Sequence, residues 1–272
     1  MKNFELVKHI ASMLSCENAD FEARQIVREG LQTDNTGFMK LRQEQADENV
    51  VKACEQMAKK RNFGTPLYYI LGKCEFYSNE FFVGEGVLVP RDDTEVLVQE
   101  ALEQIKHIKN PKVLDLCAGS GAIAVSIAKE RTDARVDAVE LYDGAFEYLQ
   151  KNIKHNKAYN VNAIKADALE FVGEYDLVVS NPPYIAEDER ESLSREVLCE
   201  PETALFAENQ GLLFYRKIAE NFKKNNNFTL MFEIGFSQAE SVSKILEHNG
   251  YLNIQTIKDF NGLDRVIVSN KK

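Results

Sequence analysis

The 272 residues predict an α/β protein: an open, mainly parallel sheet with an antiparallel terminal hairpin, preceded by a small N-terminal helical bundle and a β-hairpin linker. Three observations predict it. From Pro111 onward, short runs rich in Val, Ile and Leu alternate with stretches of helical spacing, as in a parallel sheet covered by helices on both faces. Up to about residue 62, apolar residues recur at helical spacing. Near the C-terminus, two strand-like segments flank Asn261-Gly262, a hairpin turn.

The helical part shows Phe4, Val7, Ile10, Ala11 and Leu14, then Ala23, Ile26, Val27 and Leu31, then Val50, Val51, Cys54, Met57 and Ala58. Gly30 and the cluster Thr33-Asp34-Asn35-Thr36-Gly37 interrupt it. Lys59-Lys60-Arg61 reads as a solvated helix end, and Gly64-Thr65-Pro66 closes the segment. In the linker, Tyr68 to Gly72 leads to Cys74–Tyr77, and Glu80–Val83 leads to Gly86–Pro90; aromatic and β-branched residues bounded by Gly, Ser and Asn suggest strands. Asp92-Asp93-Thr94-Glu95 opens a helix through about Ile108, since acidic residues favour a helix N-terminus. Strands are expected at 112–117, 135–140, 162–166, 175–180 and 228–234, with helices near 120–131, 143–156, 211–224 and 237–249. Ser237 with Glu240 fits a capping box, and Gly250 the stop of that helix. Asn253–Lys258 and Asp264–Ser269 form the hairpin. The expected domains are 1–64, helical and substrate-docking; 65–90, the linker; and 91–272, the catalytic sheet.

At 44% hydrophobic and 28% charged, the chain can bury one large core and a small one. No run approaches 18 apolar residues and the start has no signal-peptide core, which suggests a cytoplasmic protein without a membrane partner. Cys16, Cys54, Cys74, Cys117 and Cys199 are scattered, as are the four histidines, so reduced thiols and no metal are expected. Residues 1–75 carry 11 basic and 11 acidic side chains, which leaves 22 basic and 32 acidic for the rest. That excess repels phosphate backbones and argues against a nucleic-acid substrate.

Two stretches carry chemistry. Val113-Leu114-Asp115-Leu116-Cys117-Ala118-Gly119-Ser120-Gly121-Ala122-Ile123-Ala124 reads as a strand, a Gly-rich turn and a helix start, the place where open α/β sheets hold ligands. Glu140 ends the next strand, where a carboxylate can accept both hydroxyls of a ribose. The spacing also matches Gly-x-Gly-x-x-Ala, so a dinucleotide remains open. Asp115 within the first strand argues for a cationic ligand without phosphate, S-adenosylmethionine, or else for a loop cap. Asp167 ends the third strand and could reach an adenine amino group or cap the next turn. The second stretch, Ser180-Asn181-Pro182-Pro183-Tyr184, follows a buried strand. The prolines stiffen the backbone, so that Asn181 Oδ1 and the Pro182 carbonyl can each accept one hydrogen of a planar –NH2, with Tyr184 as a flat face.

With Asp115, Gly119, Gly121, Glu140, Asp167 and Asn181 to Tyr184 in this order, the chain resembles the class I (Rossmann-like) methyltransferases, in the branch that methylates nitrogens conjugated to a planar system. Pro66 to Gly72, Glu75-Phe76-Tyr77, Val89-Pro90-Arg91 to Thr94-Glu95, Glu200 to Leu205, Gly211 to Arg216, Glu233-Ile234-Gly235 and Asp264-Arg265-Val266 narrow the resemblance to the HemK/PrmC family. It implies methyl transfer from S-adenosylmethionine to the glutamine of the Gly-Gly-Gln motif in peptide chain release factors, by a monomer that needs no nucleic acid. Carried over, cofactor binding falls on Asp115, Cys117, Ala118, Gly119, Ser120, Gly121, Glu140, Asp167, Ala168 and Asn181. Substrate binding falls on Asn181, Pro182, Pro183 and Tyr184, with Asn181, Pro182 and Tyr184 catalytic. Cys117 and Asp92 stand where the family usually has Gly and Pro. Glutamine methylation of a ribosomal protein and adenine-N6 methylation of nucleic acid are the competing readings; a dehydrogenase or a non-catalytic adaptor is disfavoured.

Overall fold

A computed structural model describes residues 1–271. The chain forms two compact units: Met1–Lys73 with Ser194–Cys199, and Cys74–Leu193 with the chain from Glu200 onward.

The first unit is helical: α1 (Asn3–Met13), α2 (Ala19–Gly30), α3 (Asn35–Leu41), α4 (Glu48–Asn62) and α5 (Leu67–Leu71). Leu6, Ile10, Ala23, Ile26, Cys54 and Ala58 are fully buried in its core, at the spacing that the sequence shows. Asp34 and Asp47 accept backbone N–H groups at the starts of α3 and α4. Two expectations are corrected. The segment 68–72 is the helix α5 and not a strand: Pro66 starts it, and Gly72 ends it at φ 72°. Helix start and stop signals outweigh the β propensity of Tyr-Tyr-Ile. Arg61 is not solvated: only 11% of its side chain is exposed, and it donates to Glu22 (2.6 and 2.9 Å) and Glu196 (2.9 Å). Lys59 and Lys60 do face water.

The second unit begins at the second residue of the ribbon β1–β2 (Lys73–Phe76, Asn79–Phe82). Gly86–Pro90 is no strand, which corrects the longer hairpin expected there. Val87 and Val89 are buried as anchors, Gly86 turns the chain at φ 95°, and no neighbour offers a ladder. A 3-10 turn, Asp92–Thr94, leads into α6 (Glu95–Ile105). The sheet comprises β3 (Lys112–Leu116), β4 (Arg135–Glu140), β5 (Val161–Lys165), β6 (Leu177–Ser180), β7 (Phe228–Glu233), β8 (Leu252–Lys258) and β9 (Asp264–Lys271), in the order β5-β4-β3-β6-β7-β9-β8. Only the pairs of β9 are antiparallel. The helices are α7 (Ala122–Glu130), α8 (Asp143–His155), α11 (Leu213–Phe222) and α12 (Ala239–His248). Between β6 and α11, where the sequence shows no periodicity, lie the short helices α9 (Glu202–Leu205) and α10 (Glu208–Gly211). The expected capping box is absent, because α12 has Gln238 and not Ser237 as its N-cap. Gln238 instead accepts from Gly235 N and donates to the Tyr184 carbonyl.

The strand order reverses between β3 and β6. Leu116 pairs with Ser180, and the Ser180 hydroxyl donates to the Leu116 carbonyl at 2.7 Å. The loops after these two strands therefore leave the sheet side by side, at the switch point where α/β sheets bind ligands.

Candidate active site

A cleft opens over that switch point. Its floor is the turn after β3, Cys117 to Ser120, with Ala122 and Ile123 of α7. One wall is Glu140, Leu141 and Tyr142 after β4; another is Ala166 to Leu169 after β5. Asn181 and Pro183 close it from β6, while Gly86 to Leu88, Pro90, Arg91 and Thr94 approach from the irregular segment before α6.

Glu140, almost buried, is held by three backbone donors. Oε2 accepts from Gly119 N (2.8 Å), and Oε1 accepts from Leu141 N (2.8 Å) and Tyr142 N (2.9 Å). A carboxylate has about four lone-pair sites, so one acceptor position is left, on Oε2. Asp167 lines the cleft while Oδ1 accepts from Leu169 N, and Ala168 lies beside it. The turn has Cys117 at φ 61° and Gly121 at φ 82°. A Cβ on Gly121 would stand 2.5 Å from Leu149 Cδ1, so that position must stay bare. The Cys117 thiol is held well above its ordinary range, first by burial and then by the Glu140 carboxylate, and stays protonated.

The structure does not bring every expected residue into the cleft. Asp115 is absent from its lining; it is fully buried, and Oδ2 accepts the Ala124 N–H at the start of α7 (3.1 Å). Oδ1 has no hydrogen-bond partner, and burial pushes the carboxyl up to about 8. Gly121, Pro182 and Tyr184 are also absent from the lining, Pro182 standing between Asn181 and Pro183, which do line it. The Tyr184 ring packs on the sheet core, its hydroxyl pushed up to about 12 by burial. Asn181 faces the cleft, with Nδ2 at 3.4 Å from Thr94 Oγ1. Sequence reasoning gave no site role to Leu88, Pro90, Arg91, Thr94, Tyr142 or Phe214, all of which line the cleft. The signal was partly present, since Val89-Pro90-Arg91 and Thr94-Glu95 belong to the motifs that carried the resemblance.

The cleft suits a cationic ligand without phosphate. Its walls are largely apolar, it presents the Glu140 and Asp167 carboxylates, and the one cation among its described residues, Arg91, is already paired with Glu200 at 2.6 Å. A pyrophosphate would face both carboxylates.

Residues 92–244 match the methyltransferase small domain family, and residues 5–72 match the PrmC N-terminal domain family. A release factor glutamine methyltransferase of Clostridium acetobutylicum is 39% identical over 88% of this chain and 87% of its own length. The chain belongs to the release factor glutamine methyltransferase family. The family's Fusobacterium nucleatum member is 42% identical over 79% of this chain, which spans 61% of that relative's length. The Geobacter sulfurreducens member is 38% identical over 92% of this chain and 89% of its own. The fold extends beyond the family: the hMettl16 catalytic domain, solved with a MAT2A 3'UTR hairpin, superposes with a TM-score of 0.58 at 16% identity over 70% of this chain and 75% of that one.

Proposed function

We infer that this chain transfers a methyl group from S-adenosylmethionine to the side-chain amide nitrogen of the glutamine in the Gly-Gly-Gln loop of peptide chain release factors. The observation that carries this reading is the side-by-side exit of the β3 turn and Asn181-Pro182-Pro183 at the switch point of a chain in this family. When bound, S-adenosylmethionine supplies an electrophilic methyl group. Glu140 offers its remaining Oε2 lone pair to a ribose hydroxyl, and Asp167 and Ala168 flank the adenine position.

An amide nitrogen is a poor nucleophile, because its lone pair is delocalised into the carbonyl. Asn181 Oδ1 and the Pro182 carbonyl each accept one amide hydrogen, which fixes the nitrogen and favours it as it pyramidalises. Positioning of this kind contributes at most on the order of 7–11 kcal/mol. Tyr184 acts from behind, as packing that holds the Pro-Pro turn. No side chain here has to remove a proton before transfer, because the nitrogen becomes acidic only afterwards.

The N-terminal helical unit docks the body of the release factor, while the second unit receives only the glutamine loop. The enzyme acts as a monomer. It works in the cytoplasm on protein rather than nucleic acid, in keeping with 22 basic against 32 acidic residues beyond residue 75. Among the described residues no helix is long and apolar enough to cross a membrane.

Labelled S-adenosylmethionine offered with a release factor, DNA and a ribosomal fraction in parallel tests the reading. Label is expected on the release-factor glutamine and is expected to be lost in Asn181→Ala, whose cofactor affinity should stay within about threefold. Label confined to nucleic acid or to a ribosomal protein would overturn it.

A further inference from the structure

One buried carboxylate is unused by this mechanism. Glu233 ends β7, is 2% exposed, and leaves Oε2 without a hydrogen-bond partner. The Thr94 side chain favours its ionised form, and Thr94 Oγ1 in turn lies 3.4 Å from Asn181 Nδ2. Thr94 is itself 4% exposed and sits on the cleft wall. Three residues from three places in the fold thus form a line: Glu233 at the end of β7, Thr94 before α6, Asn181 after β6.

We propose that Thr94, backed by Glu233, is the positioning residue that sets which way the Asn181 amide faces. The argument is one of proton counting. A hydroxyl has one proton and two lone pairs. If that proton goes to an ionised Glu233, only lone pairs remain toward Asn181. They accept from an –NH2 and repel a carbonyl oxygen. Asn181 must then turn Nδ2 to Thr94 and Oδ1 away from it, which frees the oxygen as an acceptor for substrate. An amide with no such constraint has two nearly isosteric orientations, and the wrong one presents a donor to the substrate –NH2.

The same counting makes the line sensitive to acid. Burial pushes the Glu233 carboxyl up to about 7. Arg265 of β9, Arg91 before the 3-10 turn and Asp93 within it, Tyr184 after β6 and Tyr215 of α11 are the other charged or titratable groups whose fields couple to it. Once protonated, Glu233 can donate to Thr94, which releases the threonine proton to bond Asn181 Oδ1 and favours the flipped amide.

This inference rests on the methyl-transfer reading for its consequence in turnover, though the contact itself does not. The test uses the full chain with Thr94→Val, Thr94→Ser and Glu233→Gln. In protein labelled with 15N-asparagine, the Asn181 side-chain –NH2 signals, identified by their loss in Asn181→Ala, should shift in Thr94→Val and return toward wild type in Thr94→Ser. With release factor as substrate, Thr94→Val should lower kcat by about tenfold or more while S-adenosylmethionine affinity stays within about twofold, and Thr94→Ser should recover most of the loss. The acid limb of the wild-type kcat profile should flatten in Glu233→Gln. Unmoved –NH2 signals in Thr94→Val, or wild-type kcat in that variant, would overturn the proposal. If Thr94→Val does not fold, Thr94→Ser and the Glu233→Gln pH profile decide: an unchanged acid limb refutes the relay. Shifted signals with no methylation of any release factor would refute the functional reading and leave the Asn181 contact standing.

Discussion

Glu140 shows how a side chain can be spent before its ligand arrives. Three backbone amides occupy most of its acceptor capacity and fix the loops after β3 and β4 to one carboxylate. Glu140→Gln keeps the size but must point an –NH2 at one of those amides. S-adenosylmethionine affinity measured by calorimetry should therefore fall by about 1.5–3 kcal/mol, the worth of a charge-assisted bond; an unchanged Kd would remove Glu140 from the cofactor site. Asp115 makes a different prediction. Its folded value, about 8, lies above the ordinary 3.8, and burial is the main cause. Between about pH 4 and pH 8 the folded chain keeps a proton that the unfolded chain has lost, so stability is fully present below this window and declines as pH rises through it. Glu233, raised from 4.5 to about 7, acts with the same sign. Asp115→Asn keeps an acceptor for Ala124 N and cannot ionise. Urea unfolding at pH 5 and pH 8 should show a smaller loss of stability in the variant than in the wild type, with the remaining slope belonging to Glu233. Equal slopes would mean that Asp115 does not hold the proton.

At the scale of elements, the turn between β3 and α7 carries local strain. Cys117 is a non-glycine residue in the left-handed region, which costs roughly 1–2 kcal/mol. Glycine would relieve that cost and give back about 0.4–1 kcal/mol through a freer unfolded chain. Cys117→Gly is thus expected to leave stability unchanged or raise it by up to about 1.6 kcal/mol, as read from the denaturation midpoint; a clear loss would show that the thiol's packing outweighs the strain. The elements also show what a sequence can and cannot disclose. β6 and β7 are legible because buried strands need near-continuous apolar runs, whereas Asp115 and Asp137 interrupt those of β3 and β4. The parallel sheet follows from alternating β and α units, though its strand order does not, and Asn181 announces itself through the paired prolines. The segment Gly86–Pro90 misleads because alternation there serves to anchor an irregular wall and not to pair a ladder. Thr94 and Phe214 lie in motifs that carried the resemblance, but that their side chains face the cleft leaves no mark in the sequence, since lining a cleft is a property of neighbours brought together from distant positions. Asp115 reads ambiguously for the opposite reason: a buried carboxylate that caps a helix and one that faces a ligand look alike until its partner is visible.

At the scale of the molecule, the proposed function gives recognition and chemistry to different units. Phe21, Met39 and Phe63 of the helical unit are 52%, 58% and 88% exposed, although apolar. Specific protein interfaces bury about 1,200–2,000 Å², far more than one glutamine loop offers, so these residues are candidates for docking. Replacing all three by serine should reduce kcat/KM on intact release factor by about tenfold or more. Activity on a short Gly-Gly-Gln peptide should hold. Equal losses on both substrates would assign the helices a purely structural role. Point substitutions suit this question better than truncation near Gly64, because Ser194–Cys199 belongs to the helical unit and would be left without its partners.

That late six-residue contribution has a consequence for how the polypeptide is made. Arg61 and Glu22 emerge from the ribosome early, but Glu196, which meets the same guanidinium, is translated well over a hundred residues later. At roughly 5–20 residues per second, the nascent helices wait on the order of ten seconds or more for the piece that completes them. During that interval Arg61 has one carboxylate instead of two. Biogenesis of the N-terminal unit is therefore not strictly vectorial: its closing step is timed by synthesis of the polypeptide that runs on past β6.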